Sequence, residues 1–179
     1  MPKLKLLIFD ANIVIKLHEL GLWQKVIAKC EAHLSSIVIN NEVKYWHGEE
    51  QDKLIDLSDD VENKRLQVFD RTTGDFKKFR DSFGSTYSDR FDDGETESLI
   101  HLVESPQDYR ISSADKIVYK VLGYLNRSDQ GISLEEVLQA IGLGRSDLDW
   151  AYSKGFREKY TQEGQQDSVI GLGNQTPRK

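Results

Sequence analysis

Four acidic residues, Asp10, Glu42, Glu95 and Asp115, stand where a fold could gather their carboxylates. Asp10 ends a predicted first strand, and Asp115 follows a predicted fourth strand. Glu42 lies just after a predicted second strand, and Glu95 opens a predicted helix. In an open parallel sheet, sites form beyond the carboxyl ends of the strands, so residues distant in sequence meet there. Carboxylates brought together repel one another unless cations join them. Hard oxygen ligands of this kind select Mg²⁺ or Mn²⁺.

Each position also has a plainer explanation. Asp10 suits a turn or a helix cap, and Glu42 a solvated helix. Glu95 suits the positive end of a helix. Asp115 suits a helix start capped by Ser113. Glu97 competes with Glu95. A helix turns about 100° per residue, so side chains two apart diverge by about 200°. Leu99, Ile100 and Val103 define the buried stripe of this helix, and Glu95 lies along it. Glu95 is therefore the favoured ligand, Glu97 the second, and a ragged helix start would reverse the choice.

The elements that must position these groups follow from pattern. Residues 3–9 predict a short central strand. Helices are predicted over 12–20 and 22–32, broken near Gly21. Residues 33–36 predict a second strand leading into a helix through Trp46. The acidic stretch 49–64 carries a weak helical stripe and reads as solvated surface. Strands are predicted at 66–69 and 109–112, and helices at 75–83, 94–104 and 114–126. Ser133 and Glu136 have the spacing of a capping box. A last helix is predicted over 146–163, carrying Trp150, Tyr152, Phe156 and Tyr160, followed by a frayed polar tail. Short strands alternating with helices predict an α/β domain with a mostly parallel sheet.

Four segments together resemble the PIN-domain nucleases, a family that includes toxins of prokaryotic toxin–antitoxin pairs. They are Ile8-Phe9-Asp10-Ala11-Asn12, Asn40-Asn41-Glu42-Val43, Asp93-Gly94-Glu95-Thr96-Glu97, and Ser112-Ser113-Ala114-Asp115. The resemblance implies a three-layer α/β/α domain with a four- or five-stranded, mostly parallel sheet and extra C-terminal helices. It places a nuclease domain over 1–126; residues 127–164 carry none of the family's pattern and are read as a helical extension packed on it, and the polar, glycine-rich residues 165–179 as a flexible tail. It also implies metal-dependent hydrolysis of RNA, with Asp10, Glu95 and Asp115 as Mg²⁺ or Mn²⁺ ligands and Glu42 completing the acidic group. Asn12 and Ser113 would orient carboxylates or waters. Lys16, Lys44 or Lys116 would meet substrate phosphates. An antitoxin partner and a homodimer follow from the same resemblance. The alternative is a catalytically silent module of the same fold that binds RNA or protein. A haloacid-dehalogenase-like phosphotransferase is disfavoured, because Asn12 stands where that chemistry needs a second Asp.

Composition narrows the classes. The chain has 179 residues and a net charge of −6. A passive nucleic-acid binder gains its affinity from Lys and Arg and should be basic. A nuclease whose acids hold cations is not subject to that argument, because bound metal reverses the local field. No apolar run has the length of a membrane span. The single cysteine, Cys30, excludes an internal disulfide and fits a reducing, cytoplasmic setting. His18, His33, His47 and His101 lack metal-ligand spacing.

Overall fold

A computed structural model of the protein describes residues 4–174, with side chains from residue 8 onward. Strand β1 (Leu4–Phe9) leads through Asp10 into α1 (Ala11–Glu19). Gly21, at φ +64°, turns the chain into α2 (Trp23–Lys29) and then β2 (Cys30–Ser35). A five-residue π-helical turn, Val38–Glu42, follows. It precedes a small antiparallel hairpin, β3 (Tyr45–His47) and β4 (Asp52–Leu54). Next come α3 (Ser58–Glu62), β5 (Leu66–Phe69), α4 (Thr73–Asp81), α5 (Ser85–Ser88) and α6 (Asp93–Glu104). Strand β6 (Arg110–Ser112), α7 (Lys116–Tyr124), α8 (Leu134–Ala140) and α9 (Lys154–Ile170) complete the order.

The sheet runs β5-β2-β1-β6, and every pairing in it is parallel. A parallel bridge from Ile111 to Gly131, with Ile132 N–H donating to Ile111 O at 3.0 Å, adds a rudiment of a fifth strand beside β6. Helices cover both faces, giving three layers, α/β/α. Successive residues of β1 divide between them: Phe9 packs with Ile13, Leu17, Trp23 and Leu138, and Ile8 with Leu99, Ile111, Val118 and Leu122. A strand buried on both faces reads as a continuous apolar run, which is why its sequence shows no alternation.

Helix α9 lies along α7 at very close range. A side chain at Gly123 would strike the backbone of Thr161, and one at Gly164 the backbone of Lys120. Arg157 on α9 forms a two-point ion pair with Glu136 on α8 at 2.7 and 2.9 Å.

Several boundaries differ from those predicted. The helix predicted over 22–32 ends at Lys29, because Cys30 and Ala32 already belong to β2. A short apolar run does not by itself separate buried strand from buried helix. The helix predicted through Trp46 is the π-helical turn followed by β3, whose aromatic residues pair across to β4. The last predicted helix starts later, after a 3-10 turn at Trp150–Tyr152, and runs on to Ile170, where Gly171 caps it at φ +74°. Residues 165–170, expected in a frayed tail, are thus helical; 175–179 lie outside the described residues.

Candidate active site

Register brings the first two acids together. Phe9 is opposite Ser112 on the neighbouring parallel strand, and Asp10 N–H donates to Ser112 O at 3.1 Å. The residues after both strand ends therefore share one edge of the sheet. Asp10 is buried. Its Oδ1 accepts from Ala11 N at 2.8 Å, and its Oδ2 accepts from Ser113 Oγ at 2.7 Å and Asn12 Nδ2 at 3.2 Å. Asn12 Oδ1 in turn accepts from Ala114 N at 3.0 Å, tying the two loops together. Asn12 and Ser113 thus both hold the carboxylate of Asp10.

Asp115 caps α7 through Ile117 N, 2.9 Å from its Oδ1, and its own N–H donates to Ser113 Oγ at 2.9 Å. Ser113 is anchored from below. The Tyr119 hydroxyl donates to Ser113 O at 2.8 Å and accepts from Ser113 N at 3.2 Å. That hydroxyl also lies 3.1 Å from Ile132 O, on the rudimentary fifth strand.

Glu95 enters from the start of α6. It forms a capping box with Asp92: Glu95 N donates to Asp92 Oδ1 at 2.7 Å, and Asp92 N to Glu95 Oε2 at 3.3 Å. Glu42, at the end of the π-helical turn, lies against Gly94. A Cβ at position 94 would come within 2.5 and 2.6 Å of the Glu42 carboxylate oxygens, so a larger residue there would displace that carboxylate. The backbone N–H of Gly94 donates to the same carboxylate.

The electrostatics record how close these groups stand. Burial, and then the charges of Asp10, Asp92 and Asp115, push Glu95 up to about 9. Burial, Asp92 and Asp10 push Glu42 up to about 7. Asp10 is pushed up to about 6 by burial, against the lowering hydrogen bonds from Ser113 and Ala11, with Asp92 and Asp115 adding to the rise. Burial raises Asp92 as well. No Lys or Arg donates to the carboxylates of Asp10, Glu42, Glu95 or Asp115 in any of these contacts. Arg80 bears on the edge of the group through Asp92. Its Nη2 donates to Asp93 Oδ1 at 2.8 Å and Thr96 Oγ1 at 3.2 Å, and its charge lowers Asp92.

Asp10 therefore stands within electrostatic reach of Glu42, Glu95 and Asp115, and Asp92 joins them. Asp92 lies in a segment read as a loop, although its spacing from Glu95 is that of a capping box. Each acid also has a structural task. Asp10 and Asp115 are caps, and Glu95 is half of a capping box. Among the described residues, no group of three or more His, Cys, Asp or Glu side chains stands arranged to hold a metal ion.

Glu97, the second candidate ligand, belongs elsewhere. It is buried rather than turned outward, and it accepts four hydrogen bonds: from Ser35 Oγ, Ser36 Oγ, Ile37 N and Arg71 N, at 2.5, 3.3, 3.2 and 2.8 Å. The cause is that nearly the whole first two turns of α6 are covered, so both of its sides face protein. Lys16 is also occupied, with Nζ 3.2 Å from Asp149 and 3.4 Å from Glu19. Lys44 and Lys116 are exposed.

The chain matches no protein-family model, no curated protein and no solved structure. Among the described residues, no helix is long and apolar enough to cross a membrane.

Proposed function

We propose that the protein is a Mg²⁺- or Mn²⁺-dependent endoribonuclease of the PIN type, acting at the edge of the sheet where Asp10, Glu42, Glu95 and Asp115 meet. The observation that carries this reading is the mutual raising of these carboxylates, to which no Lys or Arg among the described residues donates. Such a group holds protons at neutral pH or holds a cation in their place. The donor set, all hard oxygen, fits Mg²⁺ or Mn²⁺. Asp10, Glu95 and Asp115 would hold the ion, with Ser113 and Asn12 fixing the orientation of Asp10. A divalent ion there would supply charge neutralisation at the phosphate and a more acidic water.

The chain's own residues supply the rest. Glu42 is half-buried at the rim, and its position near 7 suits a group that takes a proton from an attacking water and later releases it. Lys116, exposed beside Asp115, is placed to meet a substrate phosphate. By the same resemblance the chain acts as a cytoplasmic, homodimeric toxin opposed by an antitoxin. The second reading, a silent RNA- or protein-binding module, is favoured by the lack of a preassembled three-ligand set among the described residues.

Cleavage of single-stranded RNA separates the two. The nuclease reading expects cleavage that needs Mg²⁺ or Mn²⁺ and falls about 100-fold or more in Asp10→Asn, with an unchanged circular dichroism spectrum. Equal cleavage by both proteins, or RNA retention in chelator with no cleavage at all, would reject it.

A further inference from the structure

Away from the acidic edge, a cleft of about 540 Å³ opens beside the outermost strand of the sheet. Its walls are Ile39 and Val43 from the π-helical turn, Ile55 and Leu57 after β4, Val61 of α3, and Val68 of β5. Leu66 and Val68 lie two apart on β5 and share one face of the strand. Leu66 is buried in the core, whereas Val68 is 45% exposed, so the core's apolar row runs out into the cleft. Strand β5 pairs only with β2 among the described residues, so its other edge has no strand partner. An open edge beside an apolar cleft is a template for an added strand.

Charge decides what kind of strand. Asp56 and Glu62 stand on the cleft lining, which contains no Lys or Arg. Asp56 is held below the usual carboxylate range by its hydrogen bonds from Ser58, so it keeps its charge. Glu49, Glu50, Asp52 and Asp59 belong to the same acidic segment. An anionic RNA backbone would be repelled there.

We infer that this cleft docks an extended segment of a partner protein, in which aliphatic side chains alternate with Lys or Arg. The aliphatic side chains fill the apolar walls, and the basic ones, directed out of the cleft, reach back along their flexible stems to the exposed carboxylates of Asp56 and Glu62. The cleft also shares an element with the acidic group, because Ile39 and Asn40 line it while Glu42 ends the same turn. An occupant therefore bears on the turn that carries Glu42. The docking argument stands independently of whether the acidic group cleaves RNA.

The test titrates the full chain with a synthetic peptide alternating Lys or Arg with Val or Leu, followed by amide NMR shifts. Shifts should concentrate at Val43, Leu57, Val61 and Val68. Binding should weaken about tenfold when salt rises from roughly 0.05 to roughly 0.5 M. Val68→Asp, at an exposed position, should weaken binding about tenfold or more, and Val169→Asp on α9 should not. A peptide with Glu in place of its basic residues should not bind. Shifts spread evenly over the acidic surface, equal binding by Val68→Asp, or a short single-stranded RNA displacing the peptide from the cleft would each overturn the inference.

Discussion

Glu95 and Glu97 stand two residues apart on α6, both buried, in opposite surroundings. Glu97 meets only donors, two serine hydroxyls and two backbone N–H groups drawn from β2, the loop after it and Arg71. Glu95 receives one weak backbone donor, Asp92 N, and otherwise faces other carboxylates. A buried charge surrounded by donors is a structural fixture. A buried charge surrounded by its own kind stays unresolved until a proton or a cation joins it. The contrast extends to the neighbours of each. Behind Glu97 lies a polar layer in which the Arg71 guanidinium is 2.8 Å, at Nη2, from His101 Nδ1, with His101 stacked on Phe69. Around Glu95 stand the charges of Asp10, Asp92 and Asp115.

The largest expected effect comes from removing the satisfied carboxylate. Glu97→Ala leaves buried donors without an acceptor, and urea denaturation should show a loss of about 3 kcal/mol or more. A loss under about 1 kcal/mol would remove the distinction between the two residues. Glu95→Gln should act in the opposite direction. Glu95 binds its proton up to about 9 in the folded chain, far above the ordinary value of 4.5. Its contribution to stability is thus complete below about 4.5 and is lost as pH rises toward 9. At pH 8, without divalent ions, Glu95→Gln should be more stable than wild type by at least about 1.4 kcal/mol, the equivalent of one unit of pKa. The two proteins should converge near pH 4. The smallest effect belongs to His101, pushed down to about 4 by burial and by the charge of Arg71. Its contribution is present above the ordinary 6.5 and lost as pH falls through 4, the reverse of Glu95. His101→Gln should flatten the acid limb of a melting-temperature profile and leave the alkaline limb unchanged.

Much of this arrangement was legible from residue types, and the failures share a cause. Asp10 and Asp115 were found because strand ends are local signals and the parallel sheet aligns them. Leu66–Phe69 and the capping box at Ser133 and Glu136 follow from short-range pattern and stand where expected. Glu97 was misread as outward-facing because a helical stripe counts apolar neighbours, whereas its partners are Ser35, Ile37 and Arg71 on other elements. Asp92 was overlooked although Asp92 and Glu95 carry a capping-box spacing; the glycine and aspartates around it read as loop. The hairpin leaves no local signal, because β3 falls at the end of the helix predicted through Trp46 and β4 inside the acidic stretch, so Trp46 and Lys53 pair across two differently patterned segments.

The most direct test is the carboxyl ¹³C titration of Glu95, with and without saturating Mg²⁺. If this edge of the sheet is a cation site, Glu95 titrates near 9 alone and falls well below neutrality with Mg²⁺. Superimposed Glu95 titrations in the two conditions would contradict it.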